Sequence, residues 1–273
     1  ELTATLQQGD NMQAFYGDSA FVKAYDAAEN GAVITLSAGT FVKTDSIAKS
    51  ITIYGLCCSY YASETAKLGS LKIVADNVNI EGIYASISLG NVTNCHLKRC
   101  YIYKLEALDT HTNTLIDQCV VESDYAVGKG VNYTIKNSTL ESFYTMNTAD
   151  NRANITNCVI YYWAKYDEPN RIQPYAIYMN NLLRGYKFNS LYYYTCSALS
   201  EFYYNCFYGR YDSFSPSYPE GCKHDGNTTG PSNNSDGYPA SDSYSIKNYG
   251  VGIDGTVKGI YGGSGFDSRS SIP

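Results

Sequence analysis

Asp109, His111, Asp124, Lys129, Asp150 and Arg152 carry the side chains that general acid–base chemistry needs, and they fall within one stretch of the chain. Two reactions could be built from them. Elimination at a uronic acid needs a base, commonly Lys or Arg, to remove the proton beside the carboxylate, and a cation such as Ca2+ to neutralise that carboxylate. Lys129 or Arg152 would be the base, with Asp109 and Asp150 as calcium ligands. Glycoside hydrolysis instead needs two carboxylates roughly 5 to 9.5 Å apart. Asp109, Asp124 and Asp150 are the candidates for that pair. Isolated polar residues are ordinary on any solvated surface, so these types become a site only if the fold gathers them.

A second set of side chains suits binding without turnover. The chain has 29 tyrosines and one tryptophan, and the aromatics crowd into Tyr161-Tyr162-Trp163, Tyr166, Tyr175, Tyr178, Tyr192-Tyr193-Tyr194, Tyr203-Tyr204, Tyr208 and Tyr211. A ring with a polar edge offers a sugar both apolar area and a hydrogen-bonding group. Trp163, Tyr161, Tyr166 and Arg171 are the best candidates, with His111 as a further polar contact. Trp163 to Gln173, carrying Lys165, Asp167, Glu168 and Arg171, would form the wall of a groove. Many of the tyrosines are equally expected to stack on one another inside the fold.

What must position these residues is visible as a recurring phrase: an apolar residue, any residue, a small polar or turn-forming residue, then Cys or another small or apolar residue. It reads Ile53-Tyr54-Gly55-Leu56, Ile80-Glu81-Gly82-Ile83, Leu97-Lys98-Arg99-Cys100, Ile116-Asp117-Gln118-Cys119, Ile135-Lys136-Asn137-Ser138, Ile155-Thr156-Asn157-Cys158, Tyr178-Met179-Asn180-Asn181 and Tyr203-Tyr204-Asn205-Cys206. The fourth residue advances by 27, 17, 19, 19, 20, 23 and 25 positions, the range in which a period means stacked structural repeats. The apolar runs are short and rich in β-branched and aromatic residues, so they read as strands. One coil cannot bury its own apolar face; stacking coils in parallel makes a continuous core. The expected fold is an all-β parallel β-helix of about eight or more coils.

The third position must turn the chain, and Gly or Asn tolerates the left-handed backbone that costs other residues roughly 1 kcal/mol or more. Gly55, Gly82, Asn137, Asn157, Asn180 and Asn205 fit that turn, and their stacked amides would form an asparagine ladder. Arg99 and Gln118 depart from it. Nine cysteines lack the Cys-x-x-Cys spacing of a zinc site, and Cys100, Cys119, Cys158 and Cys206 share the inward rung, so they read as buried free thiols. The pairing of Cys57, Cys58, Cys196 and Cys222 stays open.

The phrase, together with Asp18-Ser19-Ala20-Phe21-Val22-Lys23-Ala24-Tyr25-Asp26-Ala27-Ala28-Glu29-Asn30-Gly31 and the following Ala32-Val33-Ile34-Thr35-Leu36 and Ala38-Gly39-Thr40-Phe41, resembles the right-handed parallel β-helices of the pectin-lyase-like superfamily. The resemblance implies a helix over about 18–30 that caps the open end, with Asp18 or Ser19 as N-cap. It also implies that the turn separates the second and third strands of each coil. Ala107-Leu108-Asp109-Thr110-His111, Ala126-Val127-Gly128-Lys129-Gly130 and Tyr144-Thr145-Met146-Asn147 would then lie on consecutive rungs of one sheet. Alternation would turn Leu108 and Val127 inward and Asp109, His111 and Lys129 outward, onto the surface that the superfamily's polysaccharide lyases and hydrolases use. The Arg-x-Pro-x-x-Arg phrase of calcium-dependent pectate lyases and the acidic set of polygalacturonases are missing from the sequence.

Composition narrows the setting. Charged residues make up 17% and the net charge is −6, so a nucleic-acid footprint is excluded. No apolar run approaches the ~20 residues of a spanning helix, and the start at Glu1 reads as a trimmed export product. From Asp212 the phrase stops and Ser, Pro, Gly and Asn dominate, which sets a β-helix over 1–211 against a loop-rich segment over 212–273. Its end, from Gly250 to Gly263, resembles the closing segment of secreted β-helix proteins from Bacteroidetes. The sequence therefore leads us to expect a secreted or cell-surface bacterial monomer that binds polysaccharide without catalysis and holds no metal or cofactor. A divergent polysaccharide lyase or glycoside hydrolase is the alternative, with Ca2+ in the lyase case, and a structural stalk is the second alternative.

Overall fold

The computed structural model describes residues 1–42, 44–56, 64–122, 124–125, 130–142, 153–164, 176–185, 200–209, 218 and 220–229. The chain divides into two compact units, Glu1–Ser123 and a second that begins at Asp124. Both are parallel β-solenoid, with about seven turns in all. The one described helix is short, and no described helix is long and apolar enough to cross a membrane.

The first unit opens with an antiparallel hairpin, strands β1 (Thr3–Gln8) and β2 (Asn11–Tyr16), joined by the two-residue loop Gly9-Asp10. Gly9 takes φ 57, the left-handed backbone such a loop demands. Strand β1 also pairs antiparallel with β3 (Val33–Leu36), the first strand of the solenoid proper. Helix α1 (Ala20–Ala27) is shorter than expected. Ser19 is its N-cap but makes no side-chain cap bond, and Asp18 lies outside the helix. Phe21, Ala24 and Tyr25 are buried as the amphipathic pattern requires, and Ala28 just beyond the helix is buried with them. Lys49 closes the C-terminal end: its ammonium donates to the carbonyls of Tyr25 at 2.7 Å, Asp26 at 3.1 Å and Ala28 at 2.8 Å. A cation there answers both the unpaired carbonyls and the negative end of the helix dipole. The cap is thus helix and hairpin together.

Beyond β3 the strands repeat in parallel. One sheet stacks Val33–Leu36, Thr52–Tyr54, Asn79–Glu81, His96–Lys98 and Leu115–Asp117 in register, so that Ile34, Ile53, Ile80, Leu97 and Ile116 form a single inward column. The strands after the turn form a second sheet through Gly39–Thr40, Ala66–Ile73, Ile83–Leu89, Tyr101–Ala107 and Val120–Val121. A shorter pair, Val92–Thr93 with His111–Thr112, completes the coil. The second unit repeats the scheme, with Thr134–Lys136, Ala153–Thr156, Ala176–Met179, Glu201–Tyr203 and Lys223–Asp225 in one sheet. Its second sheet holds Thr139–Ser142, Val159–Ala164, Leu182–Gly185, Cys206–Gly209 and Thr228–Thr229. Stacking therefore continues past residue 211, where the sequence led us to end it. The Lys223-His224-Asp225 strand is exposed at every position, so it carries no apolar signal.

The turn column bears out the physics of the phrase and corrects its phase. Gly82, Arg99, Gln118, Asn137, Asn157 and Asn180 all have positive φ, between 49 and 71. Arg99 and Gln118 take the same backbone as the asparagines, and the Arg99 guanidinium pairs with the Glu81 carboxylate. Gly55 is different: it is not left-handed, and a Cβ there would collide with the Gly82 carbonyl, so close approach selects glycine. In the last repeats the turn residue is Tyr204, with φ 54, and then Gly226; Asn205 belongs one position later. Met179 pairs with Tyr203 and Leu182 with Cys206, which puts Cys206 one residue beyond the rung of Cys158.

At Asn157 the structure does not form the amide ladder that the sequence suggested for the turn residues. Asn157 is buried and its amide has no partner among the described residues. The buried ladder lies on the next rung, formed by Asn181, Asn205 and Asn227. A second, exposed ladder in the first unit runs from Asn77 through Asn94 to Asn113, at 3.2 and 3.3 Å.

Candidate functional site

The outer face of the second sheet in the first unit gathers aromatic and charged groups. It is built by register. The residue after each rung points outward, which aligns Lys67 with Tyr84 and Tyr84 with Tyr101. The Lys67 ammonium lies 4.4 Å from the centre of the Tyr84 ring. Tyr84 and Tyr101 stack at 5.3 Å with an interplanar angle of 19°. The Tyr101 hydroxyl donates to Glu122. Ring faces are thus used within the column, and the Tyr101 hydroxyl is tied to the next coil through Glu122.

Irregularities on both sides of Ile83–Leu89 enlarge this face. The register shifts between Ile102 and Leu105, so Tyr103 and Lys104 both turn outward, and a matching shift between Lys67 and Ser70 brings out Gly69 and Ser70. A bulge of this kind re-aims side chains at a chosen point of a sheet. Tyr103 is 54% exposed and offers a ring to solvent. Lys104 bonds Glu106 at 3.2 Å, and Lys72, Ser88 and Glu106 share one outward column. The face therefore combines an open ring, amines, carboxylates and hydroxyls on a bulged parallel sheet.

The residues singled out from sequence scatter by comparison. Asp109 is exposed in a bend, where its own carboxylate accepts the Thr110 N–H at 2.7 Å. His111, expected to point outward as a binding residue, is fully buried and its Nδ1 lies 3.0 Å from the Thr114 hydroxyl. Leu108, expected inward, is 43% exposed. The reason is that Tyr101–Ala107 ends at the bend of Leu108 and Asp109, which resets the alternation before His111–Thr112 begins. Asp109 and His111 thus face opposite sides of the wall.

Tyr161 and Trp163 lie on Val159–Ala164, a strand paired on one side with Thr139–Ser142 and on the other with Leu182–Gly185. Asp124 lies on the two-residue strand Asp124–Tyr125. Lys129, Asp150, Arg152, Tyr166 and Arg171 lie outside the described residues, as do Cys57, Cys58 and Cys196. The face of Lys67, Tyr84, Tyr101 and Tyr103 is masked in the sequence by the greater aromatic density nearer the C-terminus. The signal was there: Tyr84 and Tyr101 each directly follow the rung residue, Ile83 and Cys100.

The thiols are built into the core. Cys95, Cys100, Cys119, Cys158 and Cys206 are free and buried, and Cys222 is free and half-buried. Burial pushes the Cys95 thiol up. Burial also acts on Cys100, but the Cys119 thiol and nearby backbone groups outweigh it and hold Cys100 below the ordinary thiol range. Among the described residues no group of His, Cys, Asp or Glu could hold a metal ion.

Fold and face together define a class: a parallel β-solenoid, closed at one end by a helix and hairpin, that presents a bulged tyrosine and lysine surface. Comparison with protein-family models, curated proteins and solved structures finds no match to the chain.

Proposed function

We propose that this is a secreted or cell-surface bacterial protein, akin to the pectin-lyase-like β-helices, that binds polysaccharide without turning it over. The supporting observation is the bulged outer face in which Tyr103 stands open beside the braced Tyr84 and Tyr101 column, with Lys67, Lys72, Lys104 and Glu106 around it. An open ring matches the apolar face of a sugar, and fixed amines and carboxylates match its hydroxyls or an acidic substituent. A solenoid repeats such positions at the ~4.8 Å spacing of neighbouring strands, which suits a ligand that is itself a repeating chain.

The test is affinity electrophoresis against acidic and neutral polysaccharides, run beside assays for unsaturated products and new reducing ends. Retardation without product is expected. Tyr103→Ala is expected to weaken retention about five- to tenfold, the equivalent of ~1 kcal/mol for one aromatic contact. Product release in either assay would replace binding by lyase or hydrolase activity, and no retention by any glycan would leave a spacer.

A further inference from the structure

Strand β2 is the outermost strand of its sheet, with β1 on one side and no strand on the other among the described residues. Soluble proteins usually blunt such an edge with charge, proline, a bulge or a cover. Asn11-Met12-Gln13-Ala14-Phe15-Tyr16 has no charge and no proline, and it pairs with β1 residue for residue without a bulge. Met12 is 71% exposed and Tyr16 56%. This is an unguarded six-residue template for another strand.

The hairpin geometry says which backbone groups are on offer. Across a two-residue loop the closing pair, here Gln8 and Asn11, exchanges hydrogen bonds, as do the alternate pairs Leu6 with Gln13 and Ala4 with Phe15. The N–H and C=O groups of Met12, Ala14 and Tyr16 are therefore the ones directed to the open side. A two-fold axis normal to the sheet keeps every residue on its own face, so residues opposed across it must be an even number apart. Centring the axis on Ala14 opposes Ala14 with its own copy and Met12 with Tyr16 twice. All three residues with outward backbone groups are then paired, against two if the axis sits on Gln13. The strand's exposed Met12 and Tyr16 side chains also meet across the seam, and a methionine against an aromatic ring is a favourable cross-strand contact. Asp18 would come opposite Asp10 if the strand continued, but Gly17, with φ 83, turns the chain away after Tyr16.

We infer that β2 is a homodimerisation edge: two copies of this chain join antiparallel through their β2 strands, with Ala14 on the two-fold axis. A second copy fits better than a charged partner because like charges opposed across a two-fold seam would repel, and β2 carries none. This departs from the monomer expected from sequence, and it is independent of what the tyrosine face binds.

The experiment is sedimentation velocity of the full chain over a wide concentration range, with A14K and A14E compared singly and mixed. The wild type is expected to dimerise. Each charged variant is expected to raise the dimer dissociation constant at least about tenfold, because it places like charges on the axis. An equimolar mixture is expected to recover a heterodimer. Met12→Lys provides a second probe at the Tyr16 contact, and circular dichroism confirms that each variant keeps the solenoid. A wild type that stays monomeric throughout, or a dimer that survives both A14K and A14E, would overturn the inference.

Discussion

The rung that follows the turn is occupied by thiols at Cys100, Cys119 and Cys158 and by asparagines at Asn181, Asn205 and Asn227, and both sets serve the same backbone atom. Cys100 reaches the Ile80 carbonyl at 3.6 Å, Cys119 reaches that of Leu97 at 3.4 Å, and Cys158 reaches that of Ile135 at 3.6 Å. The asparagine amides donate to Ile155 at 2.7 Å, Tyr178 at 2.9 Å and Phe202 at 2.8 Å. In every case the acceptor is the inward-facing residue of the preceding coil's strand. The thiol gives that carbonyl a long, weak bond and fills space as a small hydrophobe. The asparagine also uses its oxygen: Asn181 accepts the Cys158 N–H at 2.7 Å, and Asn205 accepts both the N–H and the amide of Asn181 at 3.0 Å. One polar need is met cheaply by sulfur and cooperatively by an amide chain.

The sharpest way to break the comparison is to cut the chain of amides at its middle. Asn205→Leu would leave the buried N–H of Asn181 without its acceptor and take one acceptor from the Asn181 amide and the side-chain donor from the Tyr178 carbonyl, while the Asn227 oxygen would keep the main-chain N–H at position 205. Losing partners for several buried groups at once is expected to cost about 3 kcal/mol or more. Cys119→Ala deletes a small volume and weak thiol contacts, to the Leu97 and Asp117 carbonyls and to Cys100, for about 1 kcal/mol. Urea unfolding of the two variants checks the difference, and equal losses would mean that the two rungs are energetically alike.

A second contrast concerns the turn just before the rung. Gly55 and Gly82 look equivalent in the phrase, yet only Gly82 is left-handed. Gly82→Asn is expected to stay within about 1 kcal/mol, because asparagine tolerates that backbone. Gly55→Ala should lose about 1–3 kcal/mol through the clash with the Gly82 carbonyl. Thermal melts of the pair would show whether the turn depends on conformation at one coil and on space at the next.

These particulars mark how far the sequence could be read. The period, the inward columns and the free thiols were legible because apolar residues recur at the strand centres, and only stacking explains them. The N-terminal hairpin was missed although Gly9-Asp10 between two six-residue runs is a hairpin signal. The phase slip at the end was hidden because Cys206 mimics a rung residue while Tyr204, a poor turn former, does the turning. His111 was misplaced because alternation was carried across a bend that no residue type announces. Registration of Tyr84 on Tyr101 follows from the period alone, whereas the bulge that exposes Tyr103 depends on pairing between coils.

A milder substitution sharpens the comparison by moving its boundary. The Cys158 thiol is 3.6 Å from the Ile135 carbonyl, and its backbone N–H already bonds Asn181. Cys158→Asn would extend the amide chain by one rung, its added bonds offsetting the extra volume, so the change is expected to lie within about 1 kcal/mol of wild type. Cys158→Leu, which cannot donate, should cost about 2 kcal/mol. Equal destabilisation by the two would show that size alone limits this rung.

The smallest effect is chemical, and it separates core thiols from one near the edge. Cys222 is half-buried and donates to the Ser200 carbonyl at 3.4 Å, as Cys95 does to Ala75 at 3.6 Å in the first unit. Burial, and then the negative charge of Glu201, push the Cys222 thiol up. Fewer Cys222 molecules are therefore thiolate at pH 8 than in an ordinary exposed cysteine, and labelling should accelerate as pH rises further. Glu201→Gln removes the charge part of that shift and should raise the labelling rate at pH 8 severalfold, with little change in stability, since the amide oxygen can still accept from Lys223, now 3.3 Å away, and from the Tyr203 hydroxyl, now at 2.9 Å. Peptide-resolved alkylation under native conditions reads Cys222 apart from every other thiol. Cys95, Cys100, Cys119 and Cys158 should label only on unfolding, and labelling of any of them at the rate of Cys222 would mean that the thiol rungs open where the asparagine rungs stay shut.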